Sequence, residues 1–234
     1  MIKPLLAAAL LLLSSGCATY SGPPHAQDPW ETYNRNMYRF NMALDRAVLK
    51  PAAETYQSVV PEPARIGISN FYSNIEDVSN TVNNLLQGKV NTGLADLGRF
   101  LINSTLGLGG LVDIATAAGI EKSSEDFGQT LGVWGVPSGP YFVIPFLGPS
   151  SARDAPARYV DPRLFYDRDI ANVFVRNSLL ALDVVRLRAS VLRADRLLEE
   201  AGGIDEYAFV RDAWLQRRLN QVYDGRPPRR KDEE

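Results

Sequence analysis

Few side chains in this sequence are of types that carry covalent chemistry. There is one cysteine, Cys17, and one histidine, His25. A serine hydrolase needs a histidine beside its nucleophile, and His25 falls in a short polar stretch, ATYSGPPHAQ (18–27), whose glycine and prolines mark a tether. A single cysteine forms no internal disulfide. One cysteine and one histidine do not supply the ligand sets of ordinary zinc sites. Neither G-x-S-x-G nor S-x-x-K occurs, and the glycines around 107–110 lack the lysine spacing of a phosphate-binding loop. Asp96, Asp113, Glu125 and Asp126 remain as carboxylates that line a site or are simply solvated. The expectation is a protein that is not an enzyme and has no metal and no cofactor. A formal net charge of −2, with no basic stripe interleaved with aromatics, gives no footprint for nucleic acid.

The one residue with a clear chemical prospect is Cys17. Met1, Ile2 and Lys3 make a short positive start, and Leu5 to Leu13 form an unbroken apolar run. That run is far shorter than the roughly 20 residues needed to span a bilayer and fits the h-region of a secretory signal. Ser14, Ser15 and Gly16 are all small and lead directly into Cys17. This resembles a bacterial lipobox, with Ser14 standing where the pattern has leucine. In a lipobox the thiol receives a diacylglycerol, the signal is cut before the cysteine, and the new N-terminus is acylated. Several acyl chains anchor far more firmly than one, at about 0.8 kcal/mol per buried CH₂. Ala18 in place of aspartate favours sorting to the outer membrane. The alternative is a plain secreted protein with an incidental cysteine. The organisation read from the chain is a signal peptide at 1–16, a lipidated tether at 17–27, a helical body at 28–224 and a charged, disordered tail at 225–234. A ten-residue tether spans at most roughly 33 Å, so the body stays close to the leaflet.

The body reads as helices. Asp28-Pro29-Trp30-Glu31 is a helix start, with Asp28 as cap and Glu31 as capping-box partner. Trp30, Tyr33, Met37, Phe40, Leu44 and Ala47 then recur at steps of three and four on one apolar face, and Pro51 is expected to stop the helix. A second helix starts at Glu62-Pro63 and runs to about Gln87, with a possible break near Asn74. A third covers 91–105, with Leu94, Leu97, Phe100 and Leu101 facing inward. Gly107 to Gly119 reads as a turn plus a short helix. Asp167 to Gly202 reads as one long helix and Asp205 to Tyr223 as a last one. Phe127 to Ala152 carries no charged residue, yet its glycines and prolines exclude a transmembrane helix. It is expected to be a turn-rich apolar hairpin, either buried in the body or dipping into an interface.

The order of segments resembles the MlaA (VacJ) family of outer-membrane lipoproteins. The matching stretches are DPWETYNRNMYRFN (28–41), VPEPARIGISNFYSNI (60–75), NNLLQGK (83–89), RFLINSTLGLGGLVDIA (99–115), DFGQTLGVWGVPSGPYFVIPFLGPSSARD (126–154) and YVDPR (159–163). The resemblance implies a mostly α fold, a ring of amphipathic helices in the inner leaflet of the outer membrane around a polar channel. It also implies the function: removal of phospholipids misplaced in the outer leaflet and their transfer to a periplasmic carrier protein, in association with a trimeric porin. Within that frame Trp30, Tyr33, Tyr38 and Phe40 are expected to set depth at the membrane interface, or else to pack in the core. Gly139, Pro140, Tyr141, Pro145, Gly148 and Pro149 are expected to form a hairpin that controls the channel. Arg153 and Asp154 fix that hairpin to the body or form an ordinary surface pair. The competing reading is a structural or porin-binding envelope lipoprotein that moves no lipid.

Overall fold

The computed structural model describes residues 25–160, 170–200 and 205–228. The signal segment, Cys17, the tether up to Pro24, most of the YVDPR segment, the glycine stop at 202 and the end of the tail lie outside them. The fold is mostly helical, as the periodicity requires. Helix α1 (Glu31–Leu44) continues through a π-helical turn (Asp45–Leu49) into α2 (Lys50–Val59). Pro51 therefore does not stop the helix as expected. Its cost in a helix interior is a lost bond and a clash with the carbonyls of the preceding turn. Here the preceding turn is the wide one, with the Lys50 amide bonded to the Asp45 carbonyl, so those carbonyls are displaced from the ring. The expected cap also differs. Trp30, not Asp28, occupies the cap position, with no side-chain bond, because Asp28 is drawn inward to other partners.

Helix α3 (Glu62–Leu86) runs unbroken past Asn74, and α4 (Val90–Thr105) turns back along it. Gly88, at φ 78°, takes the left-handed conformation that lets the chain reverse there. Gly93 permits the close approach of the two helices, since a Cβ there would lie 3.1 Å from the Leu85 side chain and 3.3 Å from the Thr81 carbonyl oxygen. Short helices α5 (Ile114–Ala117) and α6 (Phe127–Val133) follow, each capped by the aspartate before it, Asp113 and Asp126. The glycine-proline block folds as a hairpin of β1 (Tyr141–Ile144) and β2 (Gly148–Ser151), antiparallel, with Tyr141 opposite Ser151 and Ile144 opposite Gly148. Helix α7 (Asp154–Val160), the long α8 (Val173–Glu200) and α9 (Glu206–Val222) complete the described chain. No helix among the described residues is long and apolar enough to cross a membrane.

The interior inverts the usual distribution. Among the described residues, nine hydrophobic side chains are buried against 23 polar or charged ones, whereas a water-soluble fold buries mainly apolar groups. The apolar core is two small clusters. One is Ala53, Ala189 and Leu192 with Tyr56, where α2 meets α8. The other is Tyr141, Val143 and Tyr207 with Met37, Tyr38, Trp214 and Leu215, where the hairpin meets α1 and α9. The apolar stripes of α3 and α4 face outward. Leu94, Leu97 and Leu101, expected inward, are 55%, 39% and 53% exposed, and Phe100 is half-buried. Val78, Val82 and Leu85 on α3 are exposed too. The opposite face of each helix, rich in asparagine and charge, is the buried one. It folds inward because its partners can satisfy it there, an arrangement that lowers free energy where the outer surroundings are themselves apolar.

Candidate functional site

The polar faces of α3 and α4 recur at helical spacing. On α3 they are Asn74, Asp77, Asn80, Thr81 and Asn84, and on α4 Asp96, Arg99 and Asn103, all buried. The strand-like loop before α6 lies across them. Asn80 Nδ2 donates to the Ser123 carbonyl at 2.9 Å, and the Glu125 amide donates to Asn80 Oδ1 at 3.0 Å. Asn84 Nδ2 bridges Asp96 Oδ2 and Ser123 Oγ, each at 2.9 Å. Deeper in, Arg99 pairs with Asp77 at 3.4 Å and with Asp113 at 3.1 Å, while Lys122 reaches Asp77 at 3.0 Å. Burial raises the Asp77 carboxyl above its usual range, and the charges of Lys122 and Arg99 only partly offset this. Asp113 is also penalised by burial, but bonds from Thr116, Asn103 and Arg99 outweigh it and hold the carboxyl at about 2. Desolvation consumes much of the attraction in such pairs, whereas removing one partner would leave a buried charge uncompensated.

A second charged cluster ties α9 to the hairpin. Arg218 donates to both oxygens of Asp126 at 2.6 Å and to both oxygens of Asp154 at 2.8 and 3.1 Å. Arg153 completes it through Asp154 at 2.8 Å. Burial would raise the Asp126 carboxyl, yet the Arg218 guanidinium brings it down to about 2. The Arg153–Asp154 pair is thus buried and part of the frame, not a surface pair. Gly128 is necessary here, because a Cβ would stand 2.4 Å from Arg218 Nη2 and 2.5 Å from Asp154 Oδ1.

Two open clefts border these clusters. A cleft of about 930 Å³ is lined by Asn84, Lys89, Glu121, Glu125, Arg217 and Asn220, among others. A second of about 490 Å³ lies toward the hairpin, with Ile144, Leu147 and Trp214 as an apolar wall and Asp126, Arg217 and Arg218 as a polar one. Ser124, Arg217 and Gln221 border both, so the two adjoin along α9. In this passage the larger cleft is lined by polar and small residues, and the large apolar side chains belong to the smaller one. Among the described residues no group of three or more histidine, cysteine, aspartate or glutamate side chains is placed to hold a metal.

The hairpin borders the passage through Ile144 and Leu147 and is clamped from behind. Asn34, fully buried, donates to the Tyr141 carbonyl at 3.2 Å and accepts from the Val143 amide at 2.8 Å. Two turns on, Asn41 repeats the arrangement with the Ile144 carbonyl at 3.0 Å and the Phe146 amide at 2.8 Å. The asparagine amides of α1 therefore act as an extra strand edge for β1. The Gln27 carbonyl accepts from the Tyr141 amide at 2.8 Å, so the end of the tether segment joins the body at the hairpin. Gly139 and Gly148 both have positive φ, at 67° and 81°. Pro140 accepts from the Ala152 amide through its carbonyl, Pro145 begins the turn, and Pro149 stands opposite Val143. Tyr141 is buried against Tyr207 and Trp214.

Of the four candidate interface aromatics, Trp30, Tyr33 and Phe40 are exposed on one face of α1 or just before it. Trp30 lies edge-on to Phe142 at 6.3 Å and Phe40 edge-on to Phe146 at 5.3 Å. Tyr38 turns the other way and packs on Tyr207 at 5.8 Å. Burial, helped by Glu206, pushes its hydroxyl up to about 12. Sequence reasoning missed Arg217, Arg218 and the asparagine face of α3. The three-four spacing of Asn74, Asp77, Asn80 or Thr81 and Asn84 was the available signal.

The sequence pattern of the MlaA lipoprotein family matches residues 26–221. The chain belongs to the MlaA lipoprotein family. It is 36% identical over 210 residues to an Escherichia coli (strain K12) protein described as the intermembrane phospholipid transport system lipoprotein MlaA, covering 86% of this chain and 81% of that one. The Haemophilus influenzae protein of the same description is 31% identical over 235 residues, covering 96% of this chain and 92% of its own. A solved structure presented as "Structural basis for maintenance of bacterial outer membrane lipid asymmetry" superposes with a TM-score of 0.72 at 36% identity, over 83% of this chain and 98% of that one. The mostly helical fold with its small hairpin is therefore the MlaA fold, and the chain is a member of a family of membrane-associated lipoproteins.

Proposed function

We propose that this chain, anchored through a lipidated Cys17, lies in the periplasm-facing leaflet of the outer membrane and carries misplaced phospholipids out of the outer leaflet. Its ring of helices presents an apolar surface to the acyl chains of the leaflet. The passage along α9 gives the polar headgroup a route to a periplasmic carrier protein, with no covalent step. A trimeric porin holds the assembly in place. The observation that carries the reading is the inverted interior: the apolar stripes of α3 and α4 face out while their asparagine and charged faces are buried, with Asn84 at the border of the larger cleft. A phospholipid matches this, having a polar head and apolar tails. Trp30, Tyr33 and Phe40 sit at the interface, and the hairpin tip from Ile144 to Gly148 controls entry to the passage.

The test is outer-leaflet phospholipid in a strain lacking the gene, read by palmitoylation of lipid A. Accumulation reversed by the wild-type gene and not by Cys17→Ala is expected. No accumulation, in cells whose wild type makes the protein normally, would leave a structural or porin-binding lipoprotein. Release of fatty acid or lysophospholipid by the purified protein would instead reveal a hydrolase.

A further inference from the structure

The cations around the passage are nearly all committed to carboxylates. Lys89 pairs with Glu125 at 3.1 Å and with Asp224, Lys122 with Asp77 at 3.0 Å, and Arg153 with Asp154 at 2.8 Å. Arg218 is bound by Asp126 and Asp154. Arg158, at the edge of the smaller cleft, donates to the Leu147 and Pro149 carbonyls. Arg217 differs. It lines both clefts, where they adjoin, and makes no hydrogen bond or ion pair with any described residue. Its neighbour in sequence locks α9 to the frame, so the backbone that carries Arg217 is held rigidly while its own guanidinium is free. The other neighbours supply what one lipid would need. Trp214, Ile144 and Leu147 form an apolar wall on one side. On the other, Asn84 borders the larger cleft, its buried Oδ1 accepting no hydrogen bond from the described residues.

We infer that Arg217 is the residue that binds the phosphate of a phospholipid headgroup as the lipid crosses between the two clefts. This rests on the transport reading above and assigns that passage its anion-binding residue. A guanidinium presents two parallel N–H donors to two phosphate oxygens, a geometry that a lysine does not reproduce. The tails lie toward Ile144, Leu147 and Trp214, and the headgroup lies in the larger cleft. A free phosphate ion would use the same guanidinium but would gain nothing from the apolar wall.

The experiment is calorimetric titration of the purified full chain in a non-ionic detergent, with three probes. These are dihexanoyl phosphatidylethanolamine, dihexanoylglycerol, which lacks the phosphate, and inorganic phosphate. Wild type, Arg217→Gln and Arg217→Lys are compared, with thermal unfolding as the folding control. Because Arg217 is exposed and makes no hydrogen bond or ion pair with any described residue, both variants are expected to melt as wild type does. The phospholipid is expected to bind wild type more tightly than either other probe. Arg217→Gln is expected to weaken it about tenfold at low salt, with Arg217→Lys intermediate and the difference shrinking in high salt. Dihexanoylglycerol is expected to be indifferent to the substitution. Wild-type binding of the phospholipid that is unchanged in Arg217→Gln overturns this assignment and leaves the transport reading standing. Inorganic phosphate binding as tightly as the phospholipid overturns the headgroup assignment in favour of a free-anion site. Failure of wild type to bind the phospholipid at all would overturn both readings.

Discussion

Replacing Arg218 with methionine should destabilise the protein at neutral pH and reduce the stability that acid takes from it. In the native protein the Asp126 carboxyl is brought from its ordinary 3.8 to about 2, against the penalty of burial, by Arg218. A folded-state pKa below the unfolded one contributes stability that is present above the unfolded value and is lost as pH falls toward the folded one. For Asp126 this is worth about 2 kcal/mol at neutral pH, disappearing between about pH 4 and pH 2. Asp154 is lowered by the same guanidinium, after Arg218 and Arg153 overcome its burial, and contributes in the same direction. Methionine fills much of the volume but leaves Asp126 in place without its counter-charge. Removing one partner of a buried pair costs about 3–5 kcal/mol. Arg153 still holds Asp154 at 2.8 Å, so the lower end, about 3 kcal/mol, is expected at pH 7. Without the guanidinium the Asp126 carboxyl titrates higher than in the native protein, its bonds from Gln129 remaining, so the gap in stability between wild type and variant should narrow as the pH falls from neutral. Urea unfolding followed by helical circular dichroism, in a non-ionic detergent from pH 3 to pH 8, measures both effects. A variant as stable as wild type at pH 7, or a gap between the two that stays constant or widens on acidification, would refute the reasoning.

Gly128→Ala should destabilise by about 2 kcal/mol by driving a methyl group into Arg218 and Asp154, and should cost less when combined with Arg218→Met; additive effects in a double-mutant cycle would count against that contact. Asn34→Ala strands the Val143 amide and the Tyr141 carbonyl inside the protein. It should cost about 3 kcal/mol and speed amide hydrogen exchange at Val143 before the rest of the fold opens; unchanged exchange there would show that the clamp is not what holds the hairpin. Leu94→Lys with Leu101→Lys, both on the exposed face of α4, should change the unfolding free energy by no more than about 1 kcal/mol while sharply reducing co-flotation with liposomes. A large loss of stability would mean that this face packs against protein.

The sequence by itself determined where helices begin and turn. Proline and glycine at 61–63, 88 and 107–110, and the capping aspartates Asp113, Asp126 and Asp205, are local signals that act on the few residues around them. It also determined that 127–152 is no membrane span, because its prolines and glycines break any long helix. The segment order carried the family, since the glycine-proline block from 126 to 154 is distinctive as a string. Local rules failed at two points where a long-range partner won. Asp28 was to cap α1 but is buried among Asn34, Tyr207 and Arg211, the last more than 180 positions away. Pro51 was to end a helix that an adjoining π turn allows to continue. The deepest limit concerns direction. Leu94, Leu97 and Leu101 share one face of α4, and Asp96, Arg99 and Asn103 share the other; the three-four period establishes both faces equally. Periodicity does not say which face is inside. That depends on whether a polar face finds partners across the fold, as Asp96 does in Asn84 and Ser123 and Arg99 in Asp77 and Asp113. Only the tertiary structure, by bringing those residues together, turned the polar faces inward and left the apolar ones out.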